Sequence, residues 1–174
     1  GKDSDSGGKF RESARTPSNL RAVARSAMPL NKARILFLCT GNSARSQMAE
    51  GWAKHLSGDR VDAYSAGTEP RGVDPRAVKA MAEAGVDISK YRSKSVTDLP
   101  NIEFDYVVTL CDDAQQACPF FPAKTAIVHH SFEDPPRLAV NATNEEEAMS
   151  HYRRIRDEIK AYIEAMIDSL KQKK

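Results

Sequence analysis

The feature that most constrains this chain is a buried-strand signature that stops abruptly at a cysteine. Residues 33–38 read Ala-Arg-Ile-Leu-Phe-Leu, and the next eight are Cys39, Thr40, Gly41, Asn42, Ser43, Ala44, Arg45 and Ser46. An unbroken apolar run, without the alternation of a half-exposed strand, is the pattern of a strand covered on both faces in a parallel sheet. The following segment, 46–56, sets Met48, Trp52 and Leu56 on one helical face. The order is therefore strand, tight loop, helix. Such a loop lies where unpaired backbone N–H groups and the helix dipole favour an anion.

The alternation continues along the chain. A second strand fits 61–66, closed by Gly67. Asp74 and Pro75 supply an N-cap and a proline at the first helical position, and Gly85 ends that helix. A third strand fits 104–110, and a fourth and weakest fits 124–129. The last helix runs from Glu145 to about Lys171, with Ala148, Tyr152, Ile155, Ile159, Tyr162, Met166 and Leu170 spaced by three and four. Strands alternating with helices predict an α/β fold with an open four-stranded parallel sheet flanked by helices.

Residues 1–33 read as a disordered leader or linker, and 34–174 as the folded domain. The leader holds seven Lys/Arg against three Asp/Glu, so the overall charge of +2 leaves the domain slightly acidic. That balance offers no concentrated basic surface for nucleic acid. No apolar run approaches the roughly 20 residues that cross a bilayer, and none resembles a secretory signal core. A cytoplasmic setting is expected, where thiols stay reduced. In that setting cysteines are more often catalytic, redox-active or metal-binding than structural.

Three positions carry chemistry. In the loop from Cys39 to Ser46, the backbone of Thr40, Gly41, Asn42, Ser43, Ala44, Arg45 and Ser46 suits a tetrahedral oxyanion. Arg45 supplies a planar two-pronged clamp, and the same field favours the Cys39 thiolate, the nucleophilic form. Asp134, in the stretch Phe132, Glu133, Asp134, Pro135, Pro136, is the candidate proton donor, and Glu133 replaces it if that loop is shifted by one. Cys111 ends the third strand at the same sheet edge as Cys39, and Cys118 follows seven residues later. Their spacing lacks the tightness of zinc motifs, and no neighbouring His or Cys completes four ligands, so no metal and no cofactor are expected. His55, His129, His130 and His151 are scattered and receive no role. Ester hydrolysis needs one thiolate and a water, whereas a dithiol can deliver two electrons. A phosphatase, a reductase and a non-catalytic oxyanion or thiol sensor all remain open on the residues alone.

The stretch Cys39-x5-Arg45-Ser46 resembles the phosphate-binding loop of the low-molecular-weight tyrosine phosphatase superfamily. With Asp134-Pro135 and the Cys111/Cys118 pair, the chain resembles the thioredoxin-coupled arsenate reductases of that superfamily from residue 34 to about 171. The resemblance implies that Ser46 donates a hydrogen bond to Cys39 and that Asn42 holds the shape of the loop. It implies arsenate as substrate, thioredoxin as electron donor, and catalysis by Cys39, Cys111, Cys118, Arg45 and Asp134. Cys39 attacks arsenate, Cys111 attacks Cys39 to release arsenite, and Cys118 takes the disulfide over. Because bridged Cα atoms lie within about 7 Å, the 111–118 segment is expected to move. A monomer is expected, and a low-molecular-weight tyrosine phosphatase is the alternative. Some relatives bind potassium through residues aligned with Asn42, Glu50 and Ser65. Two further positions fall on Arg92 and Lys94, whose charges would repel a cation and could neutralise Glu50, so no potassium requirement is expected.

Overall fold

A computed structural model describes residues 32–116, 118 and 121–171. The leader expected over 1–33 lies outside the described residues except at its end, where Ala33 opens the first strand.

Strand β1 (Ala33–Cys39) is the centre of the molecule, with Ile35, Leu36, Phe37 and Leu38 all buried. It hands the chain to helix α1 (Arg45–Ser57), and a turn of 3-10 helix (Gly58–Arg60) leads back to β2 (Val61–Gly67). Helix α2 (Pro75–Glu83) begins as the sequence predicts: the Asp74 side chain accepts a hydrogen bond from the Arg76 backbone N–H, and Pro75 needs no partner for the N–H it lacks. Next come β3 (Tyr106–Thr109), the short helix α3 (Asp112–Gln116) and β4 (Ala126–His129). Helices α4 (Pro135–Ala139) and α5 (Glu145–Lys171) complete the described chain.

The four strands form one parallel sheet in the order β2-β1-β3-β4. The predicted open four-stranded parallel α/β sheet is thus present. Strands β3 and β4 are each shorter than expected. Phe104 and Leu110 are buried apolar residues just outside the bounds of β3, and β4 is an edge strand whose Ile127 is 49% exposed. Thin cover on that edge explains why it is the faintest strand in the sequence.

Helix α5 packs against α1, α2 and α4. Its fully buried stripe is Ala148, Met149, Tyr152, Ile155, Ile159 and Ile163, with Ile167 close behind. Beyond Ile159 the core therefore follows Ile163 and Ile167, not the predicted Tyr162, Met166 and Leu170, which flank the stripe and are only partly buried. Each fully buried isoleucine contributes roughly 1.5–3 kcal/mol, so this face is what fixes the helix to the core. Trp52 closes the α1–α5 seam by donating from its indole N–H to the Arg156 carbonyl at 3.1 Å.

Candidate active site

The loop between β1 and α1 is held from outside. The backbone N–H groups of Thr68, Glu69, Arg71 and Asp74 donate to the carbonyls of Cys39, Thr40, Gly41 and Ser43 at 3.3, 2.8, 2.9 and 3.0 Å. Four carbonyls are thereby turned toward the segment after β2. In a planar trans peptide the N–H that follows a carbonyl points the opposite way, so the amides of Thr40, Gly41, Asn42 and Ala44 face away from that segment.

Asn42 makes the tight bend. It is fully buried and has a φ of 45°, in the left-handed region that asparagine tolerates better than most side chains. Its Oδ1 accepts from the Lys94 backbone N–H at 2.9 Å and from Gln47 Nε2 at 3.0 Å, while its Nδ2 donates to Ser46 Oγ at 2.8 Å. Ser46 Oγ lies 2.9 Å from Cys39 Sγ. Because Ser46 already accepts from Asn42, its own proton is available to Cys39. The Ser46 and Cys39 side chains are thus in hydrogen-bond contact, and Asn42 bridges Ser46, Gln47 and Lys94.

Arg45 reaches the other side. Its Nη1 donates to the Phe132 carbonyl at 3.0 Å, and its Nη2 lies 3.5 Å from Asp134 Oδ1. Arg45 thereby ties the loop before α4 to the loop before α1. Cys39, Arg45 and Asp134 line one cleft of about 300 Å³ together with Gly41, Ser43, Ala44, Arg71, Gly72, Val73, Asp74, Pro75 and Pro136. Among the described residues no aromatic side chain lies in that lining. Glu133, the alternative acid, instead pairs with Arg154 on the exposed surface at 2.7 Å, and it does not line the cleft.

The register brings the second cysteine to the same place. Leu38 pairs with Thr109, and the Leu110 N–H donates to the Leu38 carbonyl at 2.8 Å. Cys39 and Cys111 therefore leave neighbouring strands at one end of the sheet. Both are buried, and Cys111 Sγ lies 3.3 Å from Thr40 Oγ1. Cys118 is half-buried beyond α3, and burial pushes its thiol pKa up. All three cysteines are free thiols.

Three features escape the sequence reading. His129, given no role there, sits between Thr109 Oγ1 (2.7 Å) and Asp112 Oδ1 (3.0 Å), next to Cys111. Glu50 is paired by neither Arg92 nor Lys94; its direct cation is Lys54, one helical turn on, at 2.6 Å. Arg92 contributes its backbone carbonyl, which accepts from Lys94 Nζ and Gln47 Nε2 at 2.9 Å each. The i,i+4 spacing of Glu50 and Lys54 was the available signal.

Residues 34–174 match the low molecular weight phosphotyrosine protein phosphatase model. The chain belongs to that family. Within the family it is 49% identical over 130 residues to an arsenate reductase of Halalkalibacterium halodurans, covering 75% of this chain and 91% of that one. A solved arsenate reductase in its oxidised state superposes with a TM-score of 0.66 at 29% identity, covering 78% of this chain and 97% of that one. A low molecular weight protein tyrosine phosphatase from T. tengcongensis does so with a TM-score of 0.63 at 25% identity, covering 79% and 99%. The family fold inferred from the loop is thus established. Among the described residues no helix is long and apolar enough to cross a membrane, and no group of His, Cys, Asp and Glu is arranged to hold a metal ion.

Proposed function

We propose that this protein reduces arsenate to arsenite through a relay of Cys39, Cys111 and Cys118, and that thioredoxin renews it. The observation that carries the proposal is the placement of a second buried thiol, Cys111, two residues past the end of the strand that neighbours β1 and beside the oxyanion loop. A hydrolase has no use for it there. The arsenate reductase named above, nearly half identical over nine-tenths of its length, supports the same reading.

The amides of the loop and Arg45 hold the oxyanion while the Cys39 thiolate attacks arsenic, with Ser46 steadying the sulfur. Asp134, on the opposite wall, gives its proton to the departing oxygen, which leaves as water. Cys111 then attacks the Cys39 sulfur. The S–S bond forms as the S–As bond breaks, and its electron pair stays on arsenic, which departs as As(III). Cys118 attacks Cys111, the disulfide moves to 111–118, and Cys39 is freed. Thioredoxin supplies the two electrons that reopen that bond. A cytoplasmic, thiol-reducing setting and a monomer suit this cycle, as does a domain beginning near residue 34 after a leader.

Phosphotyrosine hydrolysis is the weaker reading. An aryl ester needs a flat apolar wall beside the loop, and among the described residues the cleft offers Gly72, Val73, Pro75 and Pro136 but no aromatic ring. The deciding measurement is arsenate-dependent NADPH oxidation in the presence of thioredoxin and thioredoxin reductase. Parent protein should turn over many times, Cys39→Ser and Cys111→Ser should be inactive, and Cys118→Ser should stop after one turnover. Full multiple turnover by Cys118→Ser would end the relay, and aryl phosphate hydrolysis alone would hand the site to the phosphatase reading.

A further inference from the structure

Beneath the oxyanion loop, and outside the lining of its cleft, lies a second polar cluster that the chemistry above does not use. Lys94 Nζ is surrounded by three oxygens: the Arg92 carbonyl at 2.9 Å, Ser65 Oγ at 3.4 Å and Asn42 Oδ1 at 3.5 Å. An ammonium has three donors, so the cradle matches it one for one. Ser65 Oγ in turn donates to Glu50 Oε1 at 2.6 Å, while Lys54 holds Glu50 Oε2. The charged groups facing this cluster are therefore Glu50 and Lys54 from α1 and Lys94 itself, with the Tyr91 ring beneath Lys54 at 4.9 Å.

The backbone around Lys94 is pinned as firmly as its side chain. Its N–H donates to Asn42 Oδ1 at 2.9 Å, and its carbonyl accepts from the Gly67 N–H at 2.8 Å. From Asn42 the hydrogen bonds run on through Nδ2 to Ser46 Oγ and from Ser46 to Cys39 Sγ. A cation at the Oδ1 end of that amide polarises it toward donating at the other end, and each bond in such a chain strengthens the next.

We infer that Lys94 is a positioning residue for the Cys39 nucleophile: its ammonium serves as a built-in monovalent cation that, through Asn42 and Ser46, steadies the negative sulfur. The inference rests on the reading of Cys39 as nucleophile. Burial pulls the Lys94 ammonium below the ordinary lysine value and nearby Glu50 pulls it the other way. A surface lysine kept only for packing would be interchangeable with an uncharged side chain of similar length. A lysine acting by charge would be replaceable by a free cation once its side chain is cut back.

The test reads the thiol directly. Cys39 alkylation by iodoacetamide at pH 7 is followed by mass spectrometry in the parent, Lys94→Ala and Lys94→Met proteins. Each is measured in potassium, ammonium or tetramethylammonium chloride at matched ionic strength. In tetramethylammonium, whose ion is too large for the cradle, Lys94→Ala should react about tenfold more slowly than parent, the factor that about 1.4 kcal/mol of lost support corresponds to. Potassium or ammonium should restore most of that rate in Lys94→Ala, should leave the parent unchanged, and should not help Lys94→Met, whose side chain fills the space. Parent-like alkylation of Lys94→Ala overturns the inference, and so does a loss that no small cation relieves. Should the alanine variant fail to fold, Lys94→Gln, polar but uncharged, carries the same comparison with the parent. No turnover is required, so a protein inactive on arsenate would refute the proposed function and leave this comparison standing. A parent Cys39 that reacts no faster than an ordinary thiol would overturn both.

Discussion

Replacing Gly67 by alanine should disable the site while leaving the chemistry-bearing side chains intact. Gly67 is the last residue of β2 and pairs with Cys39 across the sheet. A Cβ built there lies 2.6 Å from the Thr40 carbonyl oxygen, 2.8 Å from the Asn42 nitrogen and 3.0 Å from Asn42 Cβ. Ordinary contact begins at 3.4 Å, so the carbonyl must retreat by about 0.8 Å. Two of the three obstacles are backbone atoms of the oxyanion loop, and that backbone is held by the Glu69 and Arg71 amides. The clash therefore cannot be relieved by a rotamer change. Overpacking of this kind costs about 1–3 kcal/mol of stability. Displacing a positioned group by close to 1 Å costs about 10²-fold in rate, so kcat/KM should fall by about that factor.

The control is Gly51→Ala. A Cβ there meets Ile88 Cγ2 at 2.8 Å and Met81 Cε at 3.2 Å; the methionine end can yield, the buried isoleucine moves only with its whole side chain, and neither atom belongs to the oxyanion loop. It should change the unfolding midpoint with little effect on turnover. The assays are thioredoxin-coupled arsenate reduction and the protection of Cys39 from alkylation by inorganic phosphate, which reports the loop without turnover. A Gly67→Ala protein that folds, binds phosphate and turns over within about threefold of the parent would refute the argument that a 1 Å displacement of the loop is costly.

Other substitutions separate the roles of neighbouring groups. Asp134→Asn should lower the rate of arsenate reduction about 10²–10⁴-fold, the usual range for a lost general acid, while Glu133→Gln, on the surface pair with Arg154, should be near parent in the same assay. Arg45→Lys keeps the charge but loses the planar fork and its hold on the Phe132 carbonyl, and kcat/KM should drop about 10²–10³-fold. Tyr152 donates to Asp74 Oδ2 in the α2–α5 seam, and burial followed by that hydrogen bond raises its pKa well above the usual tyrosine value. Its folded value being the higher one, this tyrosine contributes stability below the ordinary value of about 10 and loses it as pH rises toward the folded value. Tyr152→Phe should therefore be less stable at neutral pH and show a shallower alkaline decline in denaturant unfolding above about pH 10.

Much of this was legible because each local rule agreed with the next. The run into Cys39, the Asp74-Pro75 start of α2 and the span of α5 each carry a signal set within a few residues. The phase of α5 beyond Ile159 was not legible. Ile163 and Ile167 compete with Tyr162 and Met166 for the same core, and only packing decides which stripe turns inward. Helix α4 was not expected because the stretch holding Asp134, Pro135 and Pro136 was read as a loop, although proline is also at home in a first helical turn. At the site, spacing could place Cys39, Arg45 and Ser46 in one loop because they are local. It could not show that Lys94, more than fifty residues from Asn42, would reach that residue's side chain, since nothing local marks where a long side chain from an irregular segment ends.

The His129 bridge bears on how freely the second disulfide of the proposed relay could form. Asp112 is the residue after Cys111, and its hydrogen bond to His129 ties the first turn of α3 to the end of β4. Yet the Asp112 side chain is 76% exposed, and contacts of that kind are worth about 0–1 kcal/mol. The clasp is comparable to thermal energy, so it sets an orientation without imposing a barrier. Among the described residues, what resists movement of the segment is the apolar seating of Ala114, fully buried, and of Cys118, half-buried. In the proposed relay, the ease of carrying oxidising equivalents outward would thus depend more on a methyl group in the core than on the visible bond at the surface.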